Sequence, residues 1–303
     1  MKRRYTQYTV LFIFIVALLA TLSAWQVSSH AAGRRDKDKE AIIVTYPTDL
    51  NLIDVGTVTQ VQKSNLIQLK NGKSYRINAI RIPVYYDPSA VEYLKQHVLG
   101  KKVGIYAHTK KREDITDKFG NTEGHVVRED GTWIQGDMVA RGLAWAYSTA
   151  DNRFLARALQ KYEHAARALK SGFWNDPEYA IKHKKNIGKY LNSYQLYEGL
   201  LMYLDKDRSM NGNYNFFCDT AQGSDKHPMS FMIPIDSMSI FTPRDTPYFS
   251  PQNWLRSRVR VRGWVEEKNG IPTIMVTHPE QMEFLSPDKL DILNPATLKA
   301  GEE

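Results

Sequence analysis

The stretch from Gly56 to Pro83, GTVTQVQKSNLIQLKNGKSYRINAIRIP, limits the fold of this chain more than any other. Its apolar stations are Val58, then Leu66 to Leu69, then Tyr75, Ile77 and Ile80, and KNG supplies a hairpin turn between the last two groups. Alternation with a turn signal predicts three strands in a meander. The next segment, PSAVEYLKQHVLG, reads as a helix: Ser89 and Glu92 have capping-box spacing, Val91, Leu94 and Val98 share a face, and Gly100 stops it. Another strand pair flanks DKFGN, from KKVGIYAH to EGHVVREDG. A short helix around GDMVARGLAWAY follows, then a longer one from about Asn152 with Leu155, Leu159, Tyr162, Ala166 and Leu169 on one stripe. Five strands with helices in this order predict a barrel of OB type, in a chain that is mainly β with α (α+β).

Past Trp174 the pattern restarts. HKKNIGKYLNSY is a basic, polar junction, assigned to residues 177–193. YQLYEGLLMYL, NYNFFCDT, SFMIPIDSMSIF, RVRVRGWVEEKNGIPTIMV and QMEFL then supply apolar strand candidates separated by turn residues, with a second hairpin signal at EEKNG. Strands without a long intervening helical pattern predict a second small barrel, also OB-like, over residues 194–290, with 291–303 as a tail. The first barrel is assigned to residues 54–176 and the segment 32–53, with its mixed charges GRRDKDKE, to a solvated linker and entry.

The beginning of the chain carries a targeting signal. Lys2, Arg3 and Arg4 precede the uncharged run VLFIFIVALLATLSAW, and SSHAAG after it has the small-x-small form of a cleavage site at Ser29 and Ala31. Residues 1–31 are read as a signal peptide or a membrane anchor, either of which places the body outside the cytoplasm, in the periplasm or cell envelope. This segment holds three of the 41 Lys and Arg and none of the 33 Asp and Glu. The remainder is therefore only mildly basic, which permits an anionic partner without requiring one. The single cysteine, Cys218, excludes an internal disulfide and reads as a small buried hydrophobe. The eight histidines lack HExxH or HxH spacing, so no metal is expected on them.

The order of motifs carries a resemblance. GTVTQVQ with LIQLKNGKSYRINAIRIP, then YLKQHVLGKKV, TDKFGN, REDG, MVARGLAWAY and ALQKYEHAARALKSGFW together resemble the staphylococcal nuclease-like (thermonuclease) family from about residue 54 to residue 176. The ending VRVRGWVEEKNGIPTIMVTHPEQMEFL resembles the accessory C-terminal domain of some longer bacterial thermonuclease-like proteins. The resemblance implies a calcium-dependent phosphodiesterase site: carboxylates hold the ion, a glutamate acts on water, and two arginines stabilise charge on phosphorus. This chain departs from that pattern residue by residue. Lys63 and Asn65 stand at the two aspartates of the Asp-Gly-Asp-Thr motif, and Arg81 and Val84 stand at the aspartate and glutamate of Asp-x-Pro-Glu. Asn121 stands at the second arginine, while Arg76 keeps the first and Pro83 is retained. A like-charged pair about 4 Å apart repels by roughly 4 kcal/mol at an effective dielectric near 20, so Arg81 opposes a divalent cation strongly. The expectation is a vestigial pocket at Asn65, Arg76, Arg81, Val84 and Asn121, with no intact catalytic set and the family's calcium site lost. The alternative is an active phosphodiesterase on extracellular nucleic acid with a rebuilt site, for which Asp87, Glu113 and Asp114 are the nearby carboxylates.

One feature of the second half suits phosphates. In RSRVRVRG, Arg256, Arg258, Arg260 and Arg262 recur with period two, which predicts four guanidiniums on one face, with Trp254, Trp264 or Tyr248 near enough to stack bases. The competing reading is an outer face neutralised by cross-strand acids, with Glu266 and Glu267 close in sequence. The sequence thus predicts an exported or membrane-anchored, catalytically degenerate protein that binds or scaffolds at the envelope. Its expected partners are an envelope protein, the membrane through the N-terminal segment, and nucleic acid weakly.

Overall fold

Alternating strands that each bury one face must close or stack to hide it, and this chain closes them twice. The computed structural model describes residues 50–109, 115–117, 119–206, 212–220, 229–241 and 251–285. The segment 1–31, and with it the signal or anchor expectation, lies outside the described residues, as do Glu113, Asp114 and Tyr248. Among the described residues no helix is long and apolar enough to cross a membrane.

The first barrel is built from β1 (Asn51–Lys63), β2 (Leu66–Leu69), β3 (Ser74–Ile77), β5 (Lys102–Ala107) and β6 (Thr122–Arg128), with a two-residue β4 (Ile80–Arg81) leaving it after β3. The strands close in the order β1-β2-β3-β6-β5, with β3 and β6 parallel and the other pairs antiparallel. Register keeps Ile67, Tyr75, Ile77, Val103, Ile105 and Val126 inside. Helix α1 (Asp87–His97) plugs one end with Leu94. Helices α2 (Ile134–Ala140) and α3 (Ala156–Ala168) cover the wall with Met138 and Leu159, and β7 (Trp145–Ala146) between them pairs with β4.

The expected capping box does not form. Helix α1 starts two residues before Ser89, with Pro88 in its first turn, and no side chain caps it. Pro88 fixes its own φ at a helical value and lacks an N–H that would need a cap, so the helix begins ahead of the polar pair. The longer helix likewise begins at Ala156, after a turn through residues 149–155.

A tight crossing locks α2 to the end of α3. Gly142 and Gly172 both have positive φ, and Phe173 N–H donates to Gly142 O at 2.9 Å. A Cβ on Gly142 would lie 2.0 Å from Ser171 O, so only glycine permits this approach.

The second unit repeats the first circuit. β8 (Ser193–Lys206), β9 (Tyr214–Cys218), β10 (Met229–Ile233), β11 (Arg258–Lys268) and β12 (Ile271–Met275) pair in the order β8-β9-β10-β12-β11 and back to β8. Again one pair is parallel, β10 with β12, at the place that β3 and β6 hold in the first barrel. β13 (Met282–Phe284) adds to the outside of β11. The segment SFMIPIDSMSIF is one strand only as far as Ile233; Pro234 ends it, and a short helix α4 (Met238–Phe241) follows a 3-10 turn. Cys218 is buried in this core, where burial pushes its thiol well above the usual range.

The two barrels share a third core. Trp145, Phe173 and Trp174 pack against Tyr194 and Leu196 of β8, with Trp145 and Tyr194 ring centroids 5.4 Å apart. The basic junction is part of this packing. Lys182 is buried, its ammonium bonds Glu178 O at 2.5 Å and lies 4.0 Å from the Tyr190 ring centroid, and Ile187 enters the second core.

Candidate functional site

A cleft of about 600 Å³ opens where β1 turns into β2 and β3 runs into β4. It brings together Lys63, Asn65, Arg76 and Arg81, adds Asp87 at the start of α1, and is closed on one side by Tyr147, Ser148 and Thr149. Val84 does not line it. It points to solvent at 82% exposure, beside Tyr85 at 84%. Asn121 also stays outside the lining but supports it from behind.

Arg76 is held by a hub that the sequence reading passed over. Its Nε donates to Asp117 Oδ2 at 2.7 Å, and its Nη1 reaches Asn65 Oδ1 at 3.5 Å. Asp117 also accepts from the backbone N–H of Phe119 and Asn121 at 2.8 and 2.9 Å, and from the Asn121 amide at 3.1 Å. Burial alone would raise its carboxyl, but Arg76, Asn121 and these N–H groups outweigh that and hold it far below the usual carboxylate range. Asn121 therefore orders the anion that fixes Arg76 and does not present a cation to the cleft. Glu123, opposite Arg76 in the parallel register, lines the cleft with its carboxyl pushed up by burial and by Asp117.

Arg81 is turned to a different task. Its guanidinium carbon sits 4.3 Å from the ring centroid of Trp264 and 5.3 Å from that of Tyr194, both in the second barrel, and 5.9 Å from Tyr147. Three aromatic faces thus hold the cation where the resemblance puts a metal carboxylate. The residues at the family's metal positions do not fit calcium, since 65 offers a neutral amide and 81 a cation; at the position of the glutamate that acts on water, 84 offers an exposed isopropyl group. Among the described residues, no three of His, Cys, Asp and Glu converge as a metal cluster. Asp87 is engaged instead by the Ser64 hydroxyl.

The second barrel also reaches the cleft through a directed chain of hydrogen bonds. Gln281 Nε2 donates to Arg262 O and Met275 O at 3.1 and 3.0 Å, so its Oε1 accepts from Thr277 N–H at 2.8 Å and from the Thr277 hydroxyl at 3.1 Å. With its proton committed there, Thr277 Oγ1 accepts from His278 Nδ1–H at 3.1 Å. Nε2 of His278 then accepts from the Ser148 hydroxyl at 2.8 Å. Burial, with Arg153, Arg157 and Arg262 nearby, pushes His278 down to about 4 and keeps it neutral.

The predicted arginine ridge does not exist as one outward face. Arg256 precedes β11 in a turn with φ +64°, and Arg258 is exposed. Arg260 is clamped by its cross-strand neighbours, donating from Nε to Glu198 Oε1 at 2.7 Å and from Nη1 to Glu283 Oε2 at 3.1 Å. Arg262 is 1% exposed and donates to Glu163 Oε2 at 3.0 Å, Glu283 Oε1 at 2.8 Å and Ala146 O at 3.1 Å. Helix α3 of the first barrel covers the face that alternation left outward. The neutralising acids are Glu198, Glu283 and Glu163; Glu266 pairs instead with Lys268. Burial would raise Glu283, but His164, Arg262 and Arg260 hold it far below the usual range. Trp254 is fully buried in the second core, stacked on Phe216, and Trp264 is occupied by Arg81.

The closed barrel, its covering helices and this cleft are those of a nuclease-type OB domain. Residues 60–176 match the family described as Staphylococcal nuclease homologue, so the chain carries a domain of that family. It is 28% identical over 141 residues to an uncharacterized 38.1 kDa protein of Capnoides sempervirens, covering 45% of this chain and 39% of that one. It is 30% identical over 107 residues to a "probable staphylococcal-like nuclease" of Oryza sativa subsp. japonica, covering 34% of this chain and 29% of that one. The chain thus spans less than two-fifths of the length of either relative.

Proposed function

We propose that this nuclease-family protein no longer hydrolyses phosphodiesters with calcium and that its first barrel serves as a binding or scaffolding module at the cell envelope. One observation carries the reading. Arg81, where the family places a metal carboxylate, is fixed on Trp264 and Tyr194, so the position is committed to joining the two barrels. Restoring Asp at 81 alone would remove that joint without supplying the missing groups at 65, 84 and 121. The basic and apolar start of the chain supports export or anchoring, with the body outside the cytoplasm. Phosphate binding by an arginine ridge is not part of the proposal, because Arg260 and Arg262 are already paired.

Tryptophan fluorescence during a calcium titration tests the reading, since Trp264 and Trp145 flank the cleft wall. The expected result is no saturable change up to about 10 mM, roughly tenfold beyond the weak end of protein calcium sites. A saturable change that raises the unfolding temperature would overturn it.

A further inference from the structure

We propose that the cleft binds a neutral, hydroxyl-rich chain, a saccharide segment, in place of a phosphodiester. This rests on the reading that the cleft has lost hydrolysis and names the ligand of that same site.

The polarity of the lining carries the inference. Because Ser148 gives its proton to His278, it turns only lone pairs to the cleft, and Gln281 fixes that direction from three groups away. Ser64 likewise gives its proton to Asp87. Asp87 and Glu123 add two carboxylates, and Glu123 has no hydrogen-bond donor among the described residues. These four acceptors need a ligand that donates, while Lys63, Asn65 and Arg76 on the same lining need one that also accepts. A phosphodiester has no donor to give and would meet two carboxylates, whereas each sugar hydroxyl both donates and accepts, and vicinal hydroxyls suit a carboxylate.

Charge decides against an ammonium ligand. The cations of the lining, Lys63, Arg76 and Arg81, outnumber its two carboxylates by one, which Asp117 behind Arg76 balances, so the cleft has no net negative field to hold one. The size falls within the 300–1,000 Å³ or so of small-molecule sites. In the 3-10 turn that joins lining residues Ile82 and Asp87, Tyr85 is almost fully exposed, a flat apolar face that we assign to a sugar ring reaching beyond the cleft.

The test is calorimetric titration of the full-length chain in detergent with three neutral tetrasaccharides: chitotetraose, cellotetraose and maltotetraose. At least one should bind, with an affinity that changes less than about twofold between roughly 0.05 and 0.5 M salt, as expected for a neutral ligand. Ser148→Ala should weaken it by about five- to tenfold, the effect of one neutral hydrogen bond. Tyr85→Ala, a substitution at an exposed rim position, should weaken it without changing the unfolding temperature. Binding of none of the three overturns the proposal, as does binding that Ser148→Ala and Tyr85→Ala both leave unchanged. Tighter binding of a short oligothymidylate, fading steeply with salt and with Lys63→Ala, overturns the ligand class and leaves the loss of hydrolysis standing. Calcium-dependent cleavage of that oligonucleotide would instead sink the underlying reading.

Discussion

Arg262→Ala should be the most damaging single change on the surface between the barrels. The guanidinium is 1% exposed and makes three hydrogen bonds, to Glu163, Glu283 and Ala146 O. Its loss leaves Glu163, itself 0% exposed, with only the Ala146 N–H at 2.8 Å and Arg167 at 2.6 Å. Glu283 keeps Arg260 at 3.1 Å and His164 at 2.6 Å. Breaking a buried pair from one side costs about 3 to 5 kcal/mol, because a charge is left without full compensation. At about 2 to 4 °C per kcal/mol for a body of this size, the thermal midpoint should fall by roughly 6 to 20 °C. Tryptophan fluorescence and circular dichroism followed through thermal unfolding give the midpoint. Adding Glu163→Gln should restore part of the loss, giving a coupling of at least about 1 kcal/mol in a double-mutant cycle. A loss below about 1 kcal/mol, or no coupling, would refute the buried clamp and return the arginine to an exposed face.

Three further outcomes follow from the geometry. His278 is neutral in the fold with its pKa pushed down to about 4, so as pH falls below about 6.5 the unfolded chain takes up the proton first; stability should decline from there toward about 4, and His278→Gln should flatten that part of the profile in urea unfolding at graded pH. Gly142→Ala would place a Cβ 2.0 Å from Ser171 O at a positive φ, and a loss above about 2 kcal/mol in the same assay is expected; a near-neutral result would mean that the crossing with Gly172 can open. Trp264→Ala removes the nearest ring from Arg81 and should cost about 0.5 to 2 kcal/mol in urea unfolding, whereas Trp264→Phe, which keeps an aromatic face, should avoid much of that loss.

Much of this architecture was readable from the residues, for identifiable reasons. The first barrel follows from alternation at Val58, Ile67, Tyr75 and Ile77 with the KNG turn, signals that act within a few residues of one another. The second follows from the same kind of pattern, except where Pro234 divides one apolar run into a strand and a short helix. The arginine face was misread because period two says which side a residue takes and not what later covers that side; α3 lies far away in sequence. Glu163 was the available signal, a carboxylate among Leu159 and Ala166 on the buried stripe of that helix, where a charge requires a partner. Asp117 could have been found as the first residue of DKFGN, an Asx-type turn former that collects the following N–H groups. Ser148 and His278 carry no local pattern, and only the fold brings two residues 130 positions apart into contact.

The central claim is that the nuclease frame persists without the nuclease reaction, and an assay of full-length protein on single-stranded DNA and RNA with calcium and with chelator tests it most directly. Losing one transition-state charge stabiliser commonly costs a factor of about 100 to 1,000, and here the groups at 65, 81, 84 and 121 have all changed. The account predicts no cleavage that depends on calcium, and any residual activity should be the same in Arg76→Ala. Chelator-sensitive turnover that disappears in Arg76→Ala would contradict it.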